Sequence, residues 1–379
     1  MLTNADLVDL TAFRRHLHAH PEVSGHEAWT AAEVAGALRA LGCPQVVTGL
    51  GGHGVAGVWS GAAPGPTVMI RSELDALPIA ETSDLPHRST RPGTGHQCGH
   101  DGHSAILLGV ARLLARRAPA RGRVVLLFQP AEEDGSGAAA VLADAGFAPL
   151  RPDWAFALHN MPGLPLGAVS VQAGPMNCAS VGLRVVLTGR TAHASAPETG
   201  VSPGLALARL IPAVMALGPG GALDDGFRLV TVCHARLGEP AFGIAPGVGE
   251  LWLTLRTLRD ADMAALRAEV VAAVEAEAAG LSVAFSSHDD FAACTNHPLA
   301  VAVLGRAFAA LGMVAGPDAL PMRASEDFGR FGAGARSAMF LLGSGRDCPV
   351  LHAPDYDFPD DLIGPGVRVF DTVLRDLLG

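Results

Sequence analysis

The sequence contains no lysine, and only 17% of its residues are charged. With alanine and glycine abundant, the missing lysine reads as codon bias rather than mechanism. The arginine pairs Arg14–Arg15 and Arg116–Arg117 stand alone, and the formal net charge is −10. Without a basic stripe, nucleic acid is excluded as an expected partner. No apolar stretch reaches membrane-spanning length, so no membrane partner is expected. The start, MLTNADLVDLTAFRRHLHAHPE, lacks a cationic segment followed by an apolar run, which argues against a signal peptide. Cys43, Cys98, Cys178, Cys233, Cys294 and Cys348 have no disulfide-framework spacing. Reduced thiols and a cytoplasmic location are the expectation.

What is present suits a packed enzyme. The chain is 379 residues long and 49% hydrophobic, which excludes a disordered polymer. That length exceeds one ordinary core and predicts two domains. TVMIRSELD (67–75), VVLLFQPAEED (124–134), WAFALHN (154–160) and SAMFLLGSG (337–345) are continuous apolar runs. Such runs predict strands buried on both faces of a mostly parallel α/β sheet flanked by helices. SAILLGVARLLARRA (104–118), closed by Pro119, is a helix between two of them. Several runs end in acids or His: Glu73 and Asp75, Glu132 and Glu133, His159 and Asn160. Ligands bind beyond the carboxyl ends of strands in open α/β sheets, so this pattern reads as an active-site rim.

The middle of the chain reads as strand, helix, strand, strand, helix, strand, a ferredoxin-like α+β order. Residues 178–291 are expected to be an inserted lid or dimerisation domain, and 1–177 with 292–379 a discontinuous catalytic domain. An uncovered edge strand in so small a sheet predicts pairing with a second copy.

HQCGHDGHSAILLG (96–109) places a thiol, three imidazoles and a carboxylate just before a helix. Cys98 and His100 alone are weak evidence for a metal. Glu132–Glu133, His159 and His352 add the remaining donor types for zinc and similar ions, from separate loops at one sheet edge. The adjacent Glu pair also fits a helix-start charge pair. In the company of the other donors it reads as divided labour, one carboxylate binding metal and one acting as general base.

RRHLHAHPEVSGHE (14–27), ELDALPI (73–79), HQCGHDGHSA, FQPAEE, LHN, SEDF (325–328) and LHAPDYDF occur in an order that resembles one family. It is the dinuclear metal-dependent amidohydrolase and aminoacylase family, the hippurate-hydrolase and auxin-conjugate-hydrolase branch of the glutamate-carboxypeptidase-like metallopeptidases. The resemblance covers almost the whole chain. It implies two divalent ions, Zn or Mn with Co or Ni as further candidates, held by Cys98, His100, Glu133, His159 and His352 with Cys98 bridging. It implies Glu132 as general base toward a metal-activated water and then as acid to the leaving amine. Asp75 would steer a ligand from behind. His193, reaching a partner subunit's site, would stabilise the oxyanion and contact substrate. Arg256 would pair with a substrate carboxylate. Glu73 replaces the usual Asp, Glu198 a usual His, and Gly243 a usual Asn.

The resulting expectation is a homodimeric, or tetrameric, hydrolase of the amide bond in N-acyl amino acids of N-acetyl or N-benzoyl type. The rivals are a dipeptidase or carboxypeptidase, a hydrolytic deaminase on the same fold, and a non-catalytic metal-stabilised binding protein.

Overall fold

The apolar runs become the inner strands of an eight-stranded sheet. The structure, a computed structural model, describes residues 1–379. The chain groups into two units. One is Met1–Met176 with Cys294–Leu320 and Asp327–Gly379, the other Asn177–Ala293 with Pro321–Glu326.

The first unit opens with helices α1 (Asn4–His18) and α2 (Ala28–Ala40). Thr3 caps α1 reciprocally with Asp6, satisfying two amides that the first turn leaves open. Strands β1 (Gln45–Leu50), β2 (Gly54–Ser60) and β3 (Ala63–Glu73) follow, then helix α3 (His100–Arg116) and β4 (Arg121–Gln129). Helix α4 (Gly137–Ala143), β5 (Trp154–Pro162) and β6 (Val169–Ser170) complete this stretch.

The second unit contains β7 (Ala179–Thr188), α5 (Gly204–Leu217), β8 (Arg228–Leu237), β9 (Val248–Thr257), α6 (Asp260–Glu277) and β10 (Ser282–Phe291). Its sheet order is β8-β9-β7-β10, antiparallel throughout, the split β-α-β-β-α-β arrangement. Alternation puts Val181, Leu183, Val185 and Leu187 of β7 and Leu251, Leu253 and Leu255 of β9 on one face. They pack against Leu207, Leu210 and Val214 of α5 and Leu266, Val270 and Val274 of α6. Each such side chain contributes about 1.5–3 kcal/mol by leaving water.

The chain returns to the first unit with α7 (Pro298–Ala310), β11 (Ala315–Gly316), β12 (Arg336–Gly345) and α8 (Ile363–Leu378). The large sheet runs β1-β2-β4-β3-β5-β12-β6-β11. The central four strands are parallel, and β1, β2 and β6 join antiparallel. Parallel pairing sets Glu73 of β3 opposite Gln129 of β4 and His159 of β5 opposite Leu341 of β12. The carboxyl ends of these strands therefore share one edge, where the polar residues collect. No helix is long and apolar enough to cross a membrane.

One local reading changes. Strand β4 stops at Gln129, so Glu132 and Glu133 lie beyond it, in the turn before α4. Ala131 sits there at φ 51°, in the left-handed region, where the chain turns after the strand.

Candidate metal centre

The loop before α3 must turn sharply to put Cys98 and His100 at the sheet edge. Gly99 makes the turn at φ 93°, and a Cβ there would lie 2.7 Å from Asn160 Oδ1. Only glycine meets both conditions. His100 is then the first residue of α3, buried like Cys98.

Two imidazoles are oriented alike. His100 donates its Nδ1–H to the Asp75 carbonyl at 2.9 Å, and His159 donates its Nδ1–H to the Asn160 carbonyl at 2.8 Å. In each ring the Nε2 lone pair is left for the site. His159 Nε2 lies 3.5 Å from Cys98 Sγ, and His100 Nε2 lies 3.8 Å from Glu133 Oε1 and 4.0 Å from Glu132 Oε2. Glu133 Oε1 is also 3.7 Å from His352 Nε2. His352 is held at φ 66° while its backbone N–H donates to the Gln97 carbonyl at 2.9 Å. A non-glycine residue in that conformation is strained and must be held by its surroundings.

Cys98 belongs to two donor triads, one with His100 and His159, the other with Glu133 and His352, each with ligand atoms within 4.8 Å of one another. Glu132 joins a third such group with His100 and Glu133. His100 Nε2 and Glu133 Oε1 are buried with no hydrogen-bond partner. Burial pushes the Cys98 thiol well up, and Glu133 and Glu132 push it further. Burial also pushes Glu133 up. Crowded anionic donors in a dry site are unfavourable alone, and a dication reverses that balance. Thiolate, imidazole and carboxylate together are the donor set for zinc-like ions, so these residues fit such a centre.

Asp75 lies directly behind. Its Oδ2 accepts from Ser24 Oγ at 2.8 Å and from the Glu133 backbone N–H at 2.9 Å. Burial raises its pKa, but the His100 ring and these donors win and hold the carboxylate ionised.

Other groups surround the site, among them Glu73 and Asn160, which the sequence marks as rim residues. Glu73 pairs with Arg71 on one side and with His103 Nδ1 at 2.6 Å on the other. Arg71 also meets Asp327 at 2.6 Å, and Asp327 accepts from Gln129. His103 Nε2 lies 2.5 Å from Asn160 Oδ1, and Asn160 Nδ2 donates to Tyr356 Oη. His18 bonds Asp101 at 2.9 Å, and Arg14 bonds Asp101 at 3.3 Å and Asp357 at 2.5 Å. The acids at the strand ends were a signal for the first group, but their partners come from distant segments.

His193 and Arg256 belong to the second unit. His193 Nδ1 accepts from the Ser195 N–H at 3.1 Å and lies 2.7 Å from Ser195 Oγ, which leaves Nε2–H as an outward donor. Arg256 donates to the Arg323 carbonyl at 2.9 Å and to Ser325 Oγ at 2.8 Å.

Residues 69–376 match the model of peptidase family M20/M25/M40. The chain belongs to that family. Among its M20 relatives, an N-acetyl-L-cysteine deacetylase from Bacillus subtilis is 38% identical over 55% of this chain and 50% of its own length. Thermostable carboxypeptidase 1 from Saccharolobus solfataricus is 30% identical over 87% of this chain and 84% of its own. A dinuclear metal-binding M20 peptidase from Bacillus subtilis superposes with TM-score 0.83 at 26% identity, covering 99% of both chains. The first curated relatives are spanned only in part, between 50% and 65% of their length.

Proposed function

We propose that this M20 protein is a metal-dependent amidohydrolase that releases the amino acid from an N-acyl amino acid. The observation that carries the reading is Cys98, shared by two donor triads, with the further carboxylate of Glu132 facing the same space. In this reading Cys98, His100, Glu133, His159 and His352 hold two divalent ions, Zn or Mn among the candidates. Such ions, when bound, supply Lewis-acid polarisation of the scissile carbonyl and lower the pKa of water.

The chain's own residues do the rest. Glu132 takes a proton from the attacking water at one carboxylate oxygen and later gives it to the departing nitrogen. The buried walls of the site, including Cys98 and Asp75, restrict bulk water and strengthen the electrostatics. His193, with its Nε2–H free to donate, is the oxyanion donor, supplied across a homodimer of the second unit. Arg256 receives the substrate carboxylate.

The name of the deacetylase relative supports amide cleavage in an N-acyl amino acid. The carboxypeptidase relative keeps a second reading, removal of a C-terminal residue from a peptide. The two share an amide beside a free carboxylate and differ in the acyl portion.

The test is turnover of N-acetyl, N-benzoyl and dipeptide substrates by protein loaded separately with Zn and with Mn. Amino-acid release that falls by about 10²–10⁴ in Glu132→Gln, with metal content retained, supports the reading. Equal turnover by Glu132→Gln rejects Glu132 as the base, and failure to bind metal rejects the centre.

A further inference from the structure

His352 is the exposed donor of the centre. Cys98 and His100 are buried, and Glu133 and His159 are partly so. His352 also stands on irregular chain, between the end of β12 at Gly345 and the start of α8 at Ile363. Its positive φ of 66° must be held by its surroundings. Two backbone hydrogen bonds tie this segment down. The His352 N–H donates to the Gln97 carbonyl at 2.9 Å, and the Thr82 N–H donates to the Pro354 carbonyl at 2.8 Å.

Side chains tie it further. Arg14 of α1 is fully buried and meets three acids. Its Nε donates to Asp360 Oδ1 at 2.8 Å, and its Nη1 to Asp357 Oδ1 at 2.5 Å and to Asp101 Oδ2 at 3.3 Å. Asp357 and Asp360 follow His352 in the same segment, and Asp101 follows His100 directly. One guanidinium therefore joins the run that carries His352 to the helix start that carries His100. A planar fork of donors meets several carboxylates at once, which an ammonium does not match. Burial makes the tie stiff, because pulling the acids away strands the guanidinium out of water.

The two ends of the tie are not equally backed. Asp101 has a second partner in His18 Nδ1 at 2.9 Å, and His100 keeps its bond to the Asp75 carbonyl. On the other side, Asp357 has the His87 ring at 3.3 Å, and Asp360 has the half-exposed Arg15 at 2.8 Å. Exposed pairs add little. Without Arg14, the segment of His352 loosens before the start of α3 does.

We propose that Arg14 is a positioning residue that fixes His352 against Cys98 and Glu133, so that one of the two metal positions depends on it. This rests on the metal centre of the amidohydrolase reading. There Cys98, Glu133 and His352 form one donor triad, and Cys98, His100 and His159 the other.

The experiment titrates metal-free wild type and Arg14→Gln with Co²⁺, following thiolate-to-metal absorption and bound cobalt. The wild type is expected to take two equivalents. Arg14→Gln is expected to bind one equivalent within threefold of the wild-type affinity and the other at least tenfold more weakly. Arg14→Lys, which keeps the charge without the fork, is expected to fall between them. Arg14→Gln leaves three acids without their shared cation, so Asp357→Asn is the second variant. It keeps Arg14 beside Asp101 and Asp360 and is expected to weaken the same equivalent. In the metal-free protein, hydrogen exchange over residues 350–358 is expected to quicken at least tenfold in Arg14→Gln, with the amides of α3 unchanged. Two equivalents weakened alike in both variants, or neither weakened, overturns the proposal while leaving the metal centre intact. If the wild type binds no metal, the centre fails and exchange decides the tie. Faster exchange confined to 350–358 supports it, and unchanged exchange overturns it.

Discussion

His100 hangs from the backbone of Asp75: the ring Nδ1–H donates to the Asp75 carbonyl at 2.9 Å while Oδ1 of the same residue lies 3.3 Å away. Both the tautomer and the tilt of the ring follow from this. Nε2 is turned toward Glu132 and Glu133, and Asp75 Oδ2 holds the Glu133 backbone. One buried acid thus orients an imidazole and a carboxylate from two segments.

Asp75→Asn keeps the carbonyl but removes the charge behind His100. Metal affinity should fall about 10–100-fold, as for other supports behind metal-bound imidazoles. Chelator competition measures it. An affinity within twofold of wild type refutes the positioning role.

Cys98 is common to two donor triads, whereas His159 and His352 each enter one. Cys98→Ala should therefore lower metal stoichiometry at both positions, and His352→Ala at one. Metal content after dialysis, by elemental mass spectrometry, checks this. Loss of a single equivalent from Cys98→Ala argues against a shared thiolate.

Gly99→Ala should lose metal affinity and at least about 1 kcal/mol of stability, because alanine is strained at φ 93° and its Cβ meets Asn160. Thermal unfolding with and without chelator separates the two effects. An unchanged Tm in both conditions rules the constraint out.

His18 is a stability switch at alkaline pH. Burial opposes its charge, but Asp101 prevails, and the ring's pKa is pushed up to about 9. The folded value lies above the unfolded value of about 6.5. Its contribution is therefore fully present below about pH 6.5 and is lost as pH rises through 9, amounting to at most about 3.5 kcal/mol. The stability difference between wild type and His18→Gln should shrink between pH 6.5 and 10, read by denaturant unfolding at each pH. A difference that stays constant would falsify the assignment.

Leu253 sits on the buried face of β9 against α5 and α6. Leu253→Ala should destabilise the second unit by about 2–5 kcal/mol. Hydrogen exchange of amides in β7 and β9 measures the loss. Protection equal to wild type means the pairing of sheet and helices is looser than the packing indicates.

The mostly parallel α/β architecture could be read in advance, because strands such as β4 and β12 are apolar on both faces and only a sheet covered on both sides accepts them. The residues of the candidate centre could also be picked out in advance. Cys98, His100, Glu132, Glu133, His159 and His352 lie in short segments whose residue types point to metal chemistry only in combination. Where strand β4 ends was not legible, because the turn at Ala131 depends on its neighbours in space. Likewise, Glu73 could be placed at the rim, but not its partners. Only the fold shows it clamped between Arg71 and His103, with Asp327 closing the chain from more than two hundred residues away. The hydrogen bond from Arg256 to the Arg323 carbonyl is a third case, joined across a gap that no periodicity spans. The sequence by itself determined which chemical groups are available and which segments are buried, since propensity and hydrophobic pattern act between near neighbours. Tertiary structure decided which groups meet, because parallel crossovers and long loop closures bring together residues whose local sequence carries no record of one another.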